Sequence, residues 1–82
     1  MIQRIKKVTP LSDFRFFAQF DDGKQVVYNM AEDMREIPGY GVLREIPGLF
    51  QQLQLDQSRT CVFWNEDVDI ASDTIYEYGQ QM

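Results

Sequence analysis

The sequence predicts a small α+β domain: a small antiparallel sheet, made of an N-terminal three-strand meander plus a second hairpin, with two or three short helices. Three observations carry this. The stretch "FRFFAQF" at 14–20 alternates, placing Phe14, Phe16, Ala18 and Phe20 on one face. The "DDG" that follows at 21–23 is a hairpin signal, because Gly23 can take the positive φ the turn needs. Near the end, "SDTIYEY" stops at Gly79 as a short helix would. At 82 residues the chain is read as a single domain, 1–82, large enough for one core.

The elements follow in chain order. "IQRIKKV" is the first strand, and Pro10 with Ser12-Asp13 marks the turn after it. For the next hairpin, a three-residue loop, Asp21-Asp22-Gly23, pairs Ala18 with Val26 and Phe16 with Tyr28 and gathers all four on one face. A two-residue turn would send Val26 and Tyr28 to the opposite face, so the longer, bulged loop is preferred. "AEDMRE" at 31–36 allows one helical turn before Pro38, Gly39 and Gly41 stop it. Glu-Ile-Pro-Gly occurs at 36–39 and again at 45–48. The first copy reads as a loop, the second as the start of a short helix with Pro47 in its first turn and Leu49, Phe50 and Leu53 on its apolar side, and the pair is not read as a structural repeat. "LQLD" and "TCVFW" form the second hairpin, with the wholly apolar "CVFW" as a central strand covered on both faces. In the last helix Ser72 is the expected cap, Asp73 sits in the positively polarised first turn, and Ile75 and Tyr78 share a side; "QQM" is expected to fray.

Composition narrows the chemistry. The chain has no histidine and a single cysteine, Cys61. That removes the commonest general base near neutral pH, the usual partner of a serine or cysteine nucleophile, and the commonest zinc ligand. Cys61 lies in an apolar run that suits core packing, and it cannot form an intramolecular disulfide, so nothing ties the fold to an oxidising compartment. The basic start "MIQRIKK" runs into Thr9, Pro10 and Ser12 rather than an apolar stretch, so neither a leader nor a membrane span is expected, and a cytoplasmic location is.

The net charge of −5 is unevenly placed. All eight Lys and Arg lie within residues 1–59, balanced there by as many acids. Residues 60–82 carry Glu66, Asp67, Asp69, Asp73 and Glu77 and no base. Such a segment repels nucleic acid and attracts basic partners, and the bland alternative is a solvated face that keeps the domain soluble. As a calcium loop the spacing of Asn65, Asp67 and Asp69 fails, because Ile70 stands where glycine is needed and Tyr76 where a bidentate glutamate is needed. No metal or other cofactor is expected. Trp64 reads either as core or as an aromatic anchor at the rim of the acidic patch. The candidate partner-binding set is therefore Trp64, Glu66, Asp67, Asp69, Asp73, Tyr76 and Glu77.

Taken together, "VTPLSDFRFFAQFDDGKQVVYNM", "GLF" and "VFWNEDVDIASDTIYEY" resemble the small bacterial domain-of-unknown-function 2442 (DUF2442) family. Its features fall on Pro10, Phe20 to Gly23, Tyr28-Asn29, Gly41, Phe50, Trp64, Asp69 and Asp73-Thr74-Ile75-Tyr76. The family's Pro-Asn-Gly turn after tryptophan is Asn65-Glu66-Asp67 here, and its strand-end Asp is Asn29. The resemblance implies a non-catalytic module, in some members fused to a helix-turn-helix domain and in others encoded beside small toxin-like proteins, with room in this chain for the module alone. Joined to the charge division, it yields the leading expectation: a non-enzymatic, antitoxin-like interaction module whose acidic C-terminal turn and helix bind a small basic protein. A regulatory domain touching nucleic acid directly or through a partner, and a carboxylate enzyme or small-ligand binder, are the alternatives. A homo-oligomer through exposed sheet edges stays open, opposed by the basic first strand if that strand is an edge.

Overall fold

A computed structural model describes residues 3–81. The strands are β1 (Ile5–Pro10), β2 (Arg15–Phe20), β3 (Gln25–Asn29), β4 (Gln54–Leu55), β5 (Cys61–Asn65), β6 (Val68–Ala71) and β7 (Gln80–Gln81). Three short helices, α1 (Ala31–Glu36), α2 (Val42–Glu45) and α3 (Ser72–Tyr78), and a 3-10 turn at Phe50–Gln52 complete the α+β architecture. The strands form two antiparallel sheets, ordered β1-β2-β3-β7 and β4-β5-β6.

The meander has the bulged register. Phe16 pairs with Tyr28 and Ala18 with Val26, and the Phe20 amide closes the three-residue loop on the Lys24 carbonyl at 2.8 Å. All four paired side chains are buried, as that register requires. Phe14, however, leaves the strand. It sits with Asp13 in a two-residue turn, both at positive φ, and its ring makes an edge contact with Phe50 at 5.6 Å. A bulky residue in this region is strained, so the contact with Phe50 helps hold it there.

The two Glu-Ile-Pro-Gly copies do form a structural repeat. Each glutamate ends a helix, and the following isoleucine closes it, the Ile37 amide on Asp33 and the Ile46 amide on Val42. Each Ile is extended because a residue before proline is pushed out of the helical region. Proline and a positive-φ glycine then complete a type II turn, closed by Tyr40 on Ile37 at 3.2 Å and by Leu49 on Ile46 at 3.1 Å. Pro47 therefore belongs to a turn and not to a helix; the short helix expected after the second copy is the single 3-10 turn at Phe50–Gln52, which buries Phe50, and α2 ends on the copy's glutamate.

Four further differences concern the C-terminal third. Val68 and Ile70 are buried while Asp69 and Ala71 are exposed, so β6 is a strand with one covered face where a charged turn was expected. Ser72 does not cap α3: Ala71 stands at the cap position, and the buried Ser72 hydroxyl donates to the Gln3 carbonyl at 2.5 Å. Tyr78 is 72% exposed whereas Ile75 is fully buried, so they do not share the core side. Gln80 and Gln81 do not fray but pair with Val27 and Val26; Met82 lies outside the described residues.

Gly79 explains the last two points. Its φ is an ordinary −68°, yet a Cβ there would lie 2.9 Å from Val26 and 2.6 Å from the Ile75 carbonyl. Only glycine lets α3 end against β3, which turns Tyr78 outward and delivers Gln80 to the sheet. Gly79→Ala is accordingly expected to lose about 1–3 kcal/mol in urea unfolding, the usual range for overpacking. Gly41→Ala, where the nearest atom to the new Cβ is the end of the Glu45 side chain at 3.8 Å, should cost nothing. Equal stability of Gly79→Ala and the native chain would contradict this account of the helix end.

Candidate functional site

The sequence-derived candidates separate into four places. Trp64 leaves the set first: it is 5% exposed, its indole Nε1 donates to the Phe50 carbonyl at 3.0 Å, and its ring stacks on Phe50 at 5.8 Å. The core reading of this residue is correct, because its polar tip finds a buried carbonyl and has no need of a surface.

Glu66 and Asp67 occupy the exposed tip of the β5–β6 hairpin. Asn65 builds that turn, its Oδ1 accepting from the Asp67 and Val68 amides at 2.8 and 3.0 Å. The side chain thereby closes the turn without a glycine.

Asp73, Tyr76 and Glu77 lie on the side of α3 that faces Gln3 and Lys24, around a shallow depression. Two of them have internal roles. Asp73 accepts from the Gln3 amide at 3.1 Å. Tyr76 meets the β2–β3 hairpin in four ways: its ring is edge-on to Phe20 at 4.9 Å, Lys24 Nζ lies 3.9 Å above the ring, the same Nζ donates to the Tyr76 carbonyl, and the Tyr76 hydroxyl donates to Asp22 at 2.7 Å. This clasp fastens the hairpin to α3.

Asp69 alone of these residues reaches a second, larger concavity, an open groove of about 880 Å³. One wall is the outer side of β6, with Asp69, Ile70 and Ala71; another is α1, with Glu32, Asp33 and Glu36. Tyr28 and Asn29 at the end of β3 line it further, and Ile37, Tyr40 and Tyr78 give it apolar surface. Arg15 is the single base among the lining residues. The three α1 acids belong to the part of the chain that is neutral overall, so counting charge along the sequence missed them. The usable signal was the burial of Met34, which turns Glu32, Asp33 and Glu36 away from the core.

Two tyrosines brace the groove. Tyr28 donates to Asp33 Oδ2 at 2.6 Å, and burial, reinforced by that carboxylate, raises the phenol far above its ordinary range. Tyr40 donates to the Asp69 carbonyl, and burial again, with Asp69 and Asp33 nearby, raises it too. Neither can serve as a base near neutral pH. Cys61 is also pushed up, first by burial and then by Asp69 and Asp56, which keeps it a thiol rather than a nucleophile. Among the described residues no group of three or more Cys, Asp or Glu side chains is placed to hold a metal ion. The arrangement offers a negative, partly apolar trough that attracts cations and basic side chains.

The clasp has a pH signature. The Tyr76 hydroxyl, and then the Lys24 amide, hold the Asp22 carboxyl below its ordinary 3.8. A group with a lowered folded pKa contributes stability above its unfolded value and loses it as pH falls through the folded one. An NMR titration should give Asp22 a midpoint under 3.8, shifted upward in Tyr76→Phe. A midpoint unchanged by that substitution would remove Tyr76 from the clasp.

No curated protein and no solved structure matches the chain. No helix among the described residues is long and apolar enough to cross a membrane. A family model described as "Protein of unknown function (DUF2442)" matches residues 5–81. That span takes in both sheets, the Trp64 joint and the groove, and the chain belongs to the DUF2442 family.

Proposed function

We propose that this domain is a non-enzymatic interaction module that takes a basic partner protein into the groove between α1 and β6, in the manner of an antitoxin masking a small basic toxin. The observation that carries the reading is the convergence of Glu32, Asp33, Glu36 and Asp69 on one concave surface with a single arginine among its lining residues. Charged rims of this kind steer encounter and select partners by sign. The chemistry of the trough favours binding over catalysis, since Tyr28 and Tyr40 are held protonated and its acids lie in an open groove. The pI of about 4.4 and the acidic trough disfavour direct contact with nucleic acid. Action in the cytoplasm fits the one cysteine, which is unpaired and half-buried.

The surface differs from the one charge counting favoured. Glu66 and Asp67 at the hairpin tip, and Asp73 and Glu77 beyond α3, become flanking charge, and the groove becomes the contact.

Glu32 and Glu36 are exposed, so reversing them leaves the fold intact. The double variant Glu32→Lys, Glu36→Lys should weaken capture of the native basic partner about tenfold, an effect that salt also produces. The control Glu66→Lys, Asp67→Lys should change capture far less. If the hairpin-tip pair proves the sensitive one, or if no salt-sensitive basic protein is retained by the native chain, the groove reading is wrong.

A further inference from the structure

The groove has a second property that charge alone does not supply: strand edges of both sheets open into it. β6 is the outer strand of its sheet. The Ser72 amide bonds to the Thr60 carbonyl, so with Cys61 opposite Ala71 and Phe63 opposite Asp69, ladder bonds fall on Ser72 and Ile70. By the alternation of an antiparallel pair, the backbone groups of Asp69 and Ala71 then point away from β5. The contact from Tyr40 confirms the direction, because its hydroxyl reaches the Asp69 carbonyl from the groove side. Across the trough β7 covers β3 only at Val26 and Val27. Asn29, which lies beyond that cover and faces the same way as Val27, also lines the groove.

Other edges are blunted. β1 carries the exposed Lys6 and Lys7, a register irregularity, and a bond from the Ile5 amide to the Arg59 carbonyl. β4 and β7 are two residues long. Charge, irregularity and shortness are the usual means of discouraging strand addition. β6 is four residues long; the irregularity in its pairing with β5 falls between Val68 and Asp69, before the Asp69–Ala71 stretch, and its one aspartate faces the acidic trough.

We propose that the groove binds its partner by strand addition: an extended segment of another protein pairs with the outer edge of β6 at Asp69 and Ala71, and carries Lys or Arg at alternate positions. The inference rests on the groove reading above and adds the mode of recognition. In an extended segment successive side chains point to opposite faces, so every second one meets the same surface. Basic residues at that period face Glu32, Asp33, Glu36 and Asp69, while main-chain bonds to β6 supply register. An incoming amide takes the Asp69 carbonyl now held by Tyr40. A second copy of this chain is a poor occupant, because its closely spaced bases Lys6 and Lys7 are committed to β1.

Ala71 permits a selective test. Its φ of −72° and ψ of 146° suit proline, its amide points outward, and its side chain is exposed. Ala71→Pro therefore removes the donor an added strand needs without taking a bond from the sheet. The probe is a fluorescent eight-residue peptide of alternating arginine and threonine, and a twin N-methylated at every second residue, each titrated against the full chain at low salt. The expected result is that the plain peptide binds, and that either N-methylation or Ala71→Pro weakens it at least fivefold, roughly the loss of one or more main-chain bonds. The amides of Asp69 and Ala71 should also gain protection from hydrogen exchange in the complex. Should Ala71→Pro fold poorly, the N-methylated peptide still decides with the native chain. If both peptides bind alike, strand addition is overturned while the acidic-groove reading stands. If the plain peptide does not bind although a basic protein is still captured, strand addition is overturned as well.

Discussion

Everything else in this domain depends on how Trp64 joins the two sheets. Its ring stacks on Phe50 and meets Phe16 edge-on at 6.1 Å; Phe16 in turn contacts Tyr28 at 5.6 Å, and Phe14 closes on Phe50. Aromatic contacts of this kind add about 0.5–1.5 kcal/mol each beyond the area they bury. The bond from Nε1 to the Phe50 carbonyl fixes the orientation of the indole, since an unmade bond at a buried donor would cost more than the bond contributes. A sheet of four strands and a sheet of three thus share one core. A smaller side chain at position 64 would leave a void that neither sheet could close alone.

The site grows out of that core by alternation. Tyr28 buries its ring beside Phe16 and sends its hydroxyl to Asp33, so the same residue belongs to the core at one end and the groove at the other. Met34 anchors α1 and leaves Glu32 and Glu36 outside. Val68 and Ile70 anchor β6 and leave Asp69 and Ala71 outside. Three independent apolar contacts therefore fix where the acids stand. The peripheral ties have a different purpose. Arg59, in a turn organised by the Asp56 carboxylate, makes a two-point contact with Asp21 at 2.8 and 3.0 Å. It links the hairpins of the two sheets at an exposed point, where such a pair is worth at most about 1 kcal/mol.

Local features were legible in the sequence, and features made by distant contacts were not. The bulged hairpin could be derived because one-residue slips move Val26 and Tyr28 to the wrong face, a constraint written within fifteen residues. The cap expected at Ser72 failed for the opposite reason: its hydroxyl bonds to Gln3, at the other end of the chain. The fraying expected at Gln80 failed because Gly79 fits against Val26, a contact no local pattern encodes. β6 was legible in principle, as Val68 and Ile70 alternate with Asp69, but a four-residue period beside Glu66 and Asp67 is also what a charged turn would show. The duplicated Glu-Ile-Pro-Gly is the instructive exception. Its effect is local, residue before proline, proline, positive-φ glycine, so two copies in different surroundings still fold alike.

That contrast bears on how a surface potential should be read from a chain. Summed along the sequence, the net charge falls wholly in residues 60–82, and the acids there were expected to act together. Folding separates them: two go to a hairpin tip, two flank the far side of α3, and Asp69 joins acids from a segment whose own sum is zero. Arg35 and Arg44, which balance that segment on paper, do not line the groove. Charges separated by more than about 10 Å are largely screened at ordinary salt, so neutrality over a segment says nothing about the field at one of its faces. What a partner meets is set by which side chains the buried neighbours turn outward, and in this domain Met34 and Ile70 have as much to do with the acidic groove as the acids themselves.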